Sequence, residues 1–165
     1  GLAGLANRAA LFEQAAHLAA LAKRQDRPFQ LLVIDLDHFK EVNDRYGHAI
    51  GDAVLTGFAD ALRTSLRHSD LAGRVGGDEF VVLAPDTATE GAYQLAERLR
   101  EAAARVGQSN PGMPPVTVSI GLAQVSGADA SAVDAAYARA DLQLYEAKRA
   151  GRDRVSSPRM RIVKP

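Results

Sequence analysis

Apolar positions along the chain follow two periods, one helical and one extended. Leu11, Ala15, Leu18 and Ala22 recur at helical spacing behind a capping Asn7, which predicts a helix over residues 8–24. Residues 29–34 form a short, nearly unbroken apolar run rich in branched side chains. That pattern predicts a buried strand, and it ends in Asp35. Residues 37–44 read as a short helix or turn, and Gly47 and Gly51 interrupt the chain after it. Asp52 reads as the cap of a further helix carrying Val54, Leu55, Phe58, Leu62 and Leu66. Residues 70–75 and 79–84 are two short strands joined across Gly76-Gly77, a hairpin signal that calls for positive φ.

Beyond Pro85-Asp86, Ala92, Leu95, Ala96 and Leu99 mark another helix. Residues 107–115 form a proline-rich loop, and 116–123 a strand containing Gly121. Residues 132–149 are a helix with Val133, Ala136, Ala140, Leu144 and Ala147 inward, stopped by Gly151. Arg154-Val155 are expected to add an edge strand. The order is α-β-α-α-β-β-α-β-α. Setting the leading helices aside leaves βαββαβ, a ferredoxin-like α+β plan with an antiparallel sheet and helices on one face. The expected domain covers residues 1–157, with 158–165 a loose tail.

Composition narrows the chemistry. Twenty basic and twenty acidic residues give zero formal charge, so no global field draws the chain to nucleic acid. No cysteine means no disulfide framework and no thiolate metal site. His17, His38, His48 and His68 lack metal-ligand spacing. No apolar run approaches membrane-span length, and a cytosolic domain is expected. The chain opens on Gly1 rather than Met, so its natural N-terminus is expected to be missing, which leaves membrane attachment of a longer protein open.

Two acids stand where acids are costly unless used. Asp35 closes a buried strand, and Asp78-Glu79 sit at the hairpin tip. If those strands are neighbours, Asp35 and Asp78 converge, and paired carboxylates are hard donors suited to Mg²⁺. Either one alone is equally well a strand end or a turn residue.

The run Gly76-Gly77-Asp78-Glu79-Phe80 is accompanied by further stretches in register. They are Asp35-Leu36-Asp37-His38-Phe39-Lys40, Asn43-Asp44, Gly47-His48, Gly51-Asp52, Arg74, Val118-Ser119-Ile120-Gly121, and Ala140-Asp141 through Leu144-Tyr145, Ala147-Lys148 and Gly151-Arg152. Together they resemble the GGDEF family of diguanylate cyclases over nearly the whole chain. The resemblance implies a fold akin to class III nucleotide cyclases. It also implies the joining of two GTP molecules into cyclic di-GMP by two facing subunits, with release of two pyrophosphates.

Carried over, Asp35, Asp78 and the Leu36 carbonyl would bind Mg²⁺ or Mn²⁺, and Glu79 would assist metal binding or deprotonation. Phe39, Lys40, Gly76 and Gly77 would lie along the substrate. Lys148 and Arg152 would clamp the triphosphate, and Asn43 and Asp52 would read guanine. Outside this frame, Asp52 is a helix cap, and Lys148 and Arg152 are a solvated pair at a helix end. Asp37 is expected to be structural. Arg67-His68-Ser69-Asp70 fits the R-x-x-D of the family's inhibitory site, with Arg98 as a further arginine, so cyclic di-GMP is expected both as product and inhibitor. Ala3 stands where the family commonly has threonine, in a segment that by the resemblance connects to an upstream sensory or regulatory domain, and Gln143 where a small residue is frequent. The competing expectations are a non-catalytic GGDEF module that senses GTP or cyclic di-GMP, and a cyclase making a monomeric cyclic nucleotide.

Overall fold

The computed structural model describes residues 4–157, so Ala3 and the expected tail at 158–165 lie outside the described residues. The elements are α1 (Arg8–Gln25), β1 (Phe29–Leu36), α2 (Phe39–Tyr46), α3 (His48–Ser65), β2 (Leu71–Arg74), β3 (Glu79–Pro85), α4 (Thr89–Ser109), β4 (Val118–Gln124), α5 (Ala130–Arg149) and β5 (Arg154–Ser156). They build a five-stranded sheet in the order β2-β3-β1-β4-β5. β1 lies antiparallel between β3 and β4, β2 pairs antiparallel with β3, and β5 adds in parallel to β4.

Helices cover both faces of this sheet, not one. On one side Leu32, Ile34, Phe80, Val82, Val118 and Ile120 pack against Phe58 and Leu62 of α3 and Leu95 and Leu99 of α4. Phe58 meets Phe80 edge to face at 5.2 Å. On the other side Leu31, Val33, Val81 and Leu83 pack against Leu11 and Ala15 of α1 and Ala136, Ala140 and Leu144 of α5. The ferredoxin-like plan accounts for the first face. The second is covered by the helices that precede and follow that core. β1 is buried on both faces, which is why its sequence, Gln30 and Asp35 apart, is apolar and does not alternate.

Local chemistry sets most boundaries. Asn7 Oδ1 accepts from Ala10 N at 2.9 Å and starts α1, and Asp129 Oδ1 accepts from Ala132 N at 3.0 Å and starts α5. Asp52 does not cap α3. The chain turns at Gly47 (φ 89°), the helix begins at His48, and Asp52 sits exposed one turn inside it. Gly51 admits a close approach: a Cβ there would lie 1.8 Å from Asn43 Oδ1, the end of a flexible side chain of α2. Gly121 serves the same purpose for α5, since a Cβ there would lie 2.1 Å from the Ala140 carbonyl oxygen. α5 therefore rests directly on β4. Among the described residues no helix is long and apolar enough to cross a membrane.

Candidate active site

Antiparallel registry places Asp35 of β1 directly opposite Glu79, the first residue of β3. Asp78, just before it, is tied to β1 because its carbonyl accepts from Leu36 N at 3.1 Å. Like charges on adjacent strands repel, and α5 supplies a donor to each acid. Lys148 Nζ donates to Asp35 Oδ2, and the Tyr137 hydroxyl donates to Glu79 Oε2. Burial pushes the Asp35 carboxyl up from 3.8 to about 6. The Lys148 hydrogen bond pulls it down, and the neighbouring Asp78 charge adds to the rise.

Asp35, Leu36, Phe39, Lys40, Asp78, Lys148 and Arg152 line one open cleft of about 160 Å³. Phe39 and Lys40 reach it because His38 takes a left-handed conformation (φ 57°) and aims the α2 N-terminus at the cleft. Lys148 arrives from the last turn of α5. Arg152 follows the helix end: its N–H donates to the Ala147 carbonyl at 3.0 Å, and both it and Asp153 have positive φ. Two consecutive left-handed residues without glycine need support. Asp37 provides it, as the sequence led us to expect of a structural acid. Its carboxylate accepts from Thr117 Oγ1 and Ser119 Oγ at 2.7 Å each, and from Asp153 N at 3.0 Å. Arg100 of α4 completes the brace with a 3.0 Å bond to Asp153 Oδ1. Arg100 and Tyr137 are both missing from the sequence reading. Tyr137 meets Glu79 58 residues away, and Arg100, which also pairs with Glu97 one turn back on α4, reaches Asp153 53 residues away.

The glycine loop differs from the predicted hairpin. Neither Gly76 nor Gly77 has positive φ. Residues 75–78 form a four-residue connection, longer than the two-residue turn that requires such φ. Val75 N donates to the Glu79 carbonyl at 2.9 Å, and the Arg74 guanidinium donates to the Gly76 and Gly77 carbonyls. A Cβ at Gly77 would meet nothing within 4 Å. The glycines thus keep exposed backbone open beside Asp78.

Gly76, Gly77 and Glu79 border Asp78 but are not part of the cleft lining, and Asn43 and Asp52 lie outside it on the α2–α3 pair, with the Asn43 amide packed over Gly51. Oxygen donors dominate the metal question. Among the described residues no cluster of three or more His, Cys, Asp or Glu side chains is placed to hold an ion. The neighbouring Asp35 and Asp78 carboxylates suit a Mg²⁺ ion that takes its remaining ligands from substrate phosphates.

Away from the cleft, Arg67 and Asp70 form a close pair. The Asp70 carboxylate is 1% exposed and accepts from Arg67 N, Nε and Nη2. Arg67 Nη2 also donates to the Pro85 carbonyl and Thr87 Oγ1 at 2.8 Å each. The bond to Asp70 raises the Arg67 pKa above its ordinary value. Arg98 is exposed on α4, and among the described residues no hydrogen bond or ion pair joins it to Arg67 or Asp70.

A family model described as "Diguanylate cyclase, GGDEF domain" matches residues 1–154. The diguanylate cyclase DgcP of Pseudomonas aeruginosa is 46% identical over 155 residues, covering 93% of this chain and 23% of that protein. The diguanylate cyclase DgcM of Escherichia coli is 42% identical over 156 residues, covering 93% and 37%. The chain thus spans well under half the length of these relatives. The GGDEF domain of DgcB from Caulobacter crescentus, solved in complex with c-di-GMP, superposes with a TM-score of 0.86 at 31% identity, over 95% of this chain and 93% of that one. The active GGEEF domain of a diguanylate cyclase from Vibrio cholerae gives 0.83 at 32%, over 93% and 97%. Sequence, fold and the cleft at the Asp35–Glu79 strand ends agree, and the chain belongs to the GGDEF family of diguanylate cyclase domains.

Proposed function

We propose that this domain condenses two GTP molecules into cyclic di-GMP, releasing two pyrophosphates. The observation that carries this is the convergence of the Asp35 and Asp78 carboxylates with three cations (Lys40, Lys148, Arg152) on one cleft, which Asp37 and Glu41 also line. Each chain holds one GTP. Lys40, Lys148 and Arg152 bind the triphosphate, with the α2 N-terminus contributing backbone donors. Asp35 and Asp78, with the Leu36 carbonyl, hold Mg²⁺ or Mn²⁺, which when bound offsets phosphate charge and acidifies the ribose 3′-hydroxyl. Glu79 assists metal binding or deprotonation of that hydroxyl, Asp52 accepts from the guanine N1–H and 2-amino group, and the Asn43 amide hydrogen-bonds the same base.

The ribose 3′-oxygen of one GTP attacks the α-phosphorus of the other. The new P–O bond forms as the bond to the bridging β-phosphate oxygen breaks, and pyrophosphate leaves. Each molecule attacks the other once, so a homodimer of facing half-sites is needed. Positioning and charge stabilisation supply most of the acceleration. Arg67, Asp70 and Arg98 bind the product as an inhibitor, arginine being suited to phosphate and to purine stacking.

Incubating the protein at high concentration with GTP and Mg²⁺, and identifying products by mass spectrometry, tests this. Cyclic di-GMP is expected. Cyclic GMP, or GTP binding without turnover, refutes it.

A further inference from the structure

The sheet leaves two facing acids at its active edge, and the cleft residues account for only one of them. Asp35 is held by Lys148, a cleft residue. Glu79 is held by Tyr137, which lines no part of that cleft. Tyr137 is half-buried on α5, and its ring is fixed from α1. Phe12 meets it edge to face at 5.5 Å and 79°, and the Arg8 guanidinium lies over it at 5.5 Å. The hydroxyl is therefore aimed by packing and is not a free rotor on an exposed surface. It holds one carboxylate oxygen, Oε2. The other, Oε1, lies on the Gly76 side, 3.8 Å from where a Gly76 Cβ would stand.

We infer that Tyr137 is a positioning residue for the condensation, orienting Glu79 so that its second oxygen faces the glycine loop. This rests on the proposed cyclase activity. A carboxylate with a single torsionally free end samples several orientations, and a fixed donor on one oxygen selects one of them. Burial, and then the bond to Glu79, push the Tyr137 hydroxyl up to about 12. It therefore remains a donor throughout the neutral range. α1 enters the site through this contact, because Arg8 and Phe12 in its first two turns set where the tyrosine ring stands.

The test is a double-mutant cycle with Tyr137→Phe and Glu79→Ala, read both as turnover and as urea unfolding in EDTA. Tyr137→Phe removes one oxygen and leaves the ring against Phe12. In the Glu79 protein it is expected to lower kcat about fivefold with KM for GTP unchanged, the size of one net hydrogen bond. In the Glu79→Ala background it is expected to change kcat less than twofold, because the group it acts through is gone. An equal fall in both backgrounds, an unchanged kcat, or a rise in KM alone overturns the inference. The unfolding midpoints decide separately from activity. Tyr137→Phe should lower the midpoint in the Glu79 protein and not in Glu79→Ala, and equal shifts refute the contact. If the parent protein makes no cyclic di-GMP the cyclase reading fails, while the unfolding cycle still settles whether Tyr137 holds Glu79.

Discussion

Gly51→Ala separates recognition from folding. Residue 51 is buried inside α3, and the three atoms nearest to an added methyl all belong to the Asn43 side chain: Oδ1 at 1.8 Å, Cγ at 2.9 Å and Nδ2 at 3.5 Å. Ordinary contact needs about 3.5 Å, so the amide oxygen must retreat by roughly 1.7 Å. No hydrogen bond survives a displacement of that size. The amide is the end of a flexible side chain, so it turns aside and the helix stays where it is. Residue 51 has helical backbone, and replacing glycine by alanine there gains about 1 kcal/mol in propensity.

Stability is therefore expected to hold or to rise by a few degrees in melting temperature. The guanine contact assigned to Asn43 is expected to be lost. One net hydrogen bond is about 0.5–1.5 kcal/mol, which raises KM for GTP about two- to thirteenfold. Steady-state pyrophosphate release against GTP concentration at saturating Mg²⁺ measures the first effect, and thermal unfolding the second. Asn43→Ala should match the KM change, and the two together should add nothing further. An unchanged KM would show that Asn43 does not read the substrate from this position, and a fall in melting temperature that the helix rather than the amide gives way.

Three further perturbations probe other parts of the molecule. Asp35→Asn removes a carboxyl raised from 3.8 to about 6. The folded state keeps that proton where the unfolded chain has released it. The wild type therefore loses stability as pH rises from about 4 through about 6. In metal-free buffer the wild type's urea midpoint should fall relative to the variant's across that window, and parallel profiles refute this. Arg98→Ala should relieve inhibition by cyclic di-GMP at unchanged melting temperature. Arg67→Ala should relieve it too but cost about 1–3 kcal/mol, because the buried Asp70 carboxylate keeps only a backbone donor. Product-inhibition curves beside thermal melts distinguish the two. Gly121→Ala forces α5 off β4 and should cost about 2 kcal/mol or more, read by urea unfolding.

Where a feature is written in adjacent residues, the sequence reveals it. Asn7 beside its apolar stripe located α1, and the apolar run after Pro28 located β1. That same run, apolar on both sides of the strand, already implied a second covered face. Counting only the βαββαβ elements hid it. α3 was misread at its start because Gly51 looks like a breaker and Asp52 like a cap. Gly51 is small because Asn43 presses on it, a constraint that belongs to another helix. The cleft was legible through the motifs that line it. Of the parts that steady it, Asp37 was expected to be structural, but Tyr137 on Glu79 and Arg100 on the turn carrying Arg152 were not foreseen. Each of those two is one side chain meeting a residue distant in the chain, and no local periodicity marks such a meeting.

The open space above Gly77 carries a consequence for how this domain tolerates change. Nothing in the fold resists a side chain there, and neither Gly76 nor Gly77 relies on a conformation closed to other residues. A substitution library scored for soluble, folded protein should pass most replacements at these two positions. The same library scored for cyclic di-GMP output should reject them. The divergence between the two scans would outline the ligand on the protein surface, residue by residue, with no bound complex required.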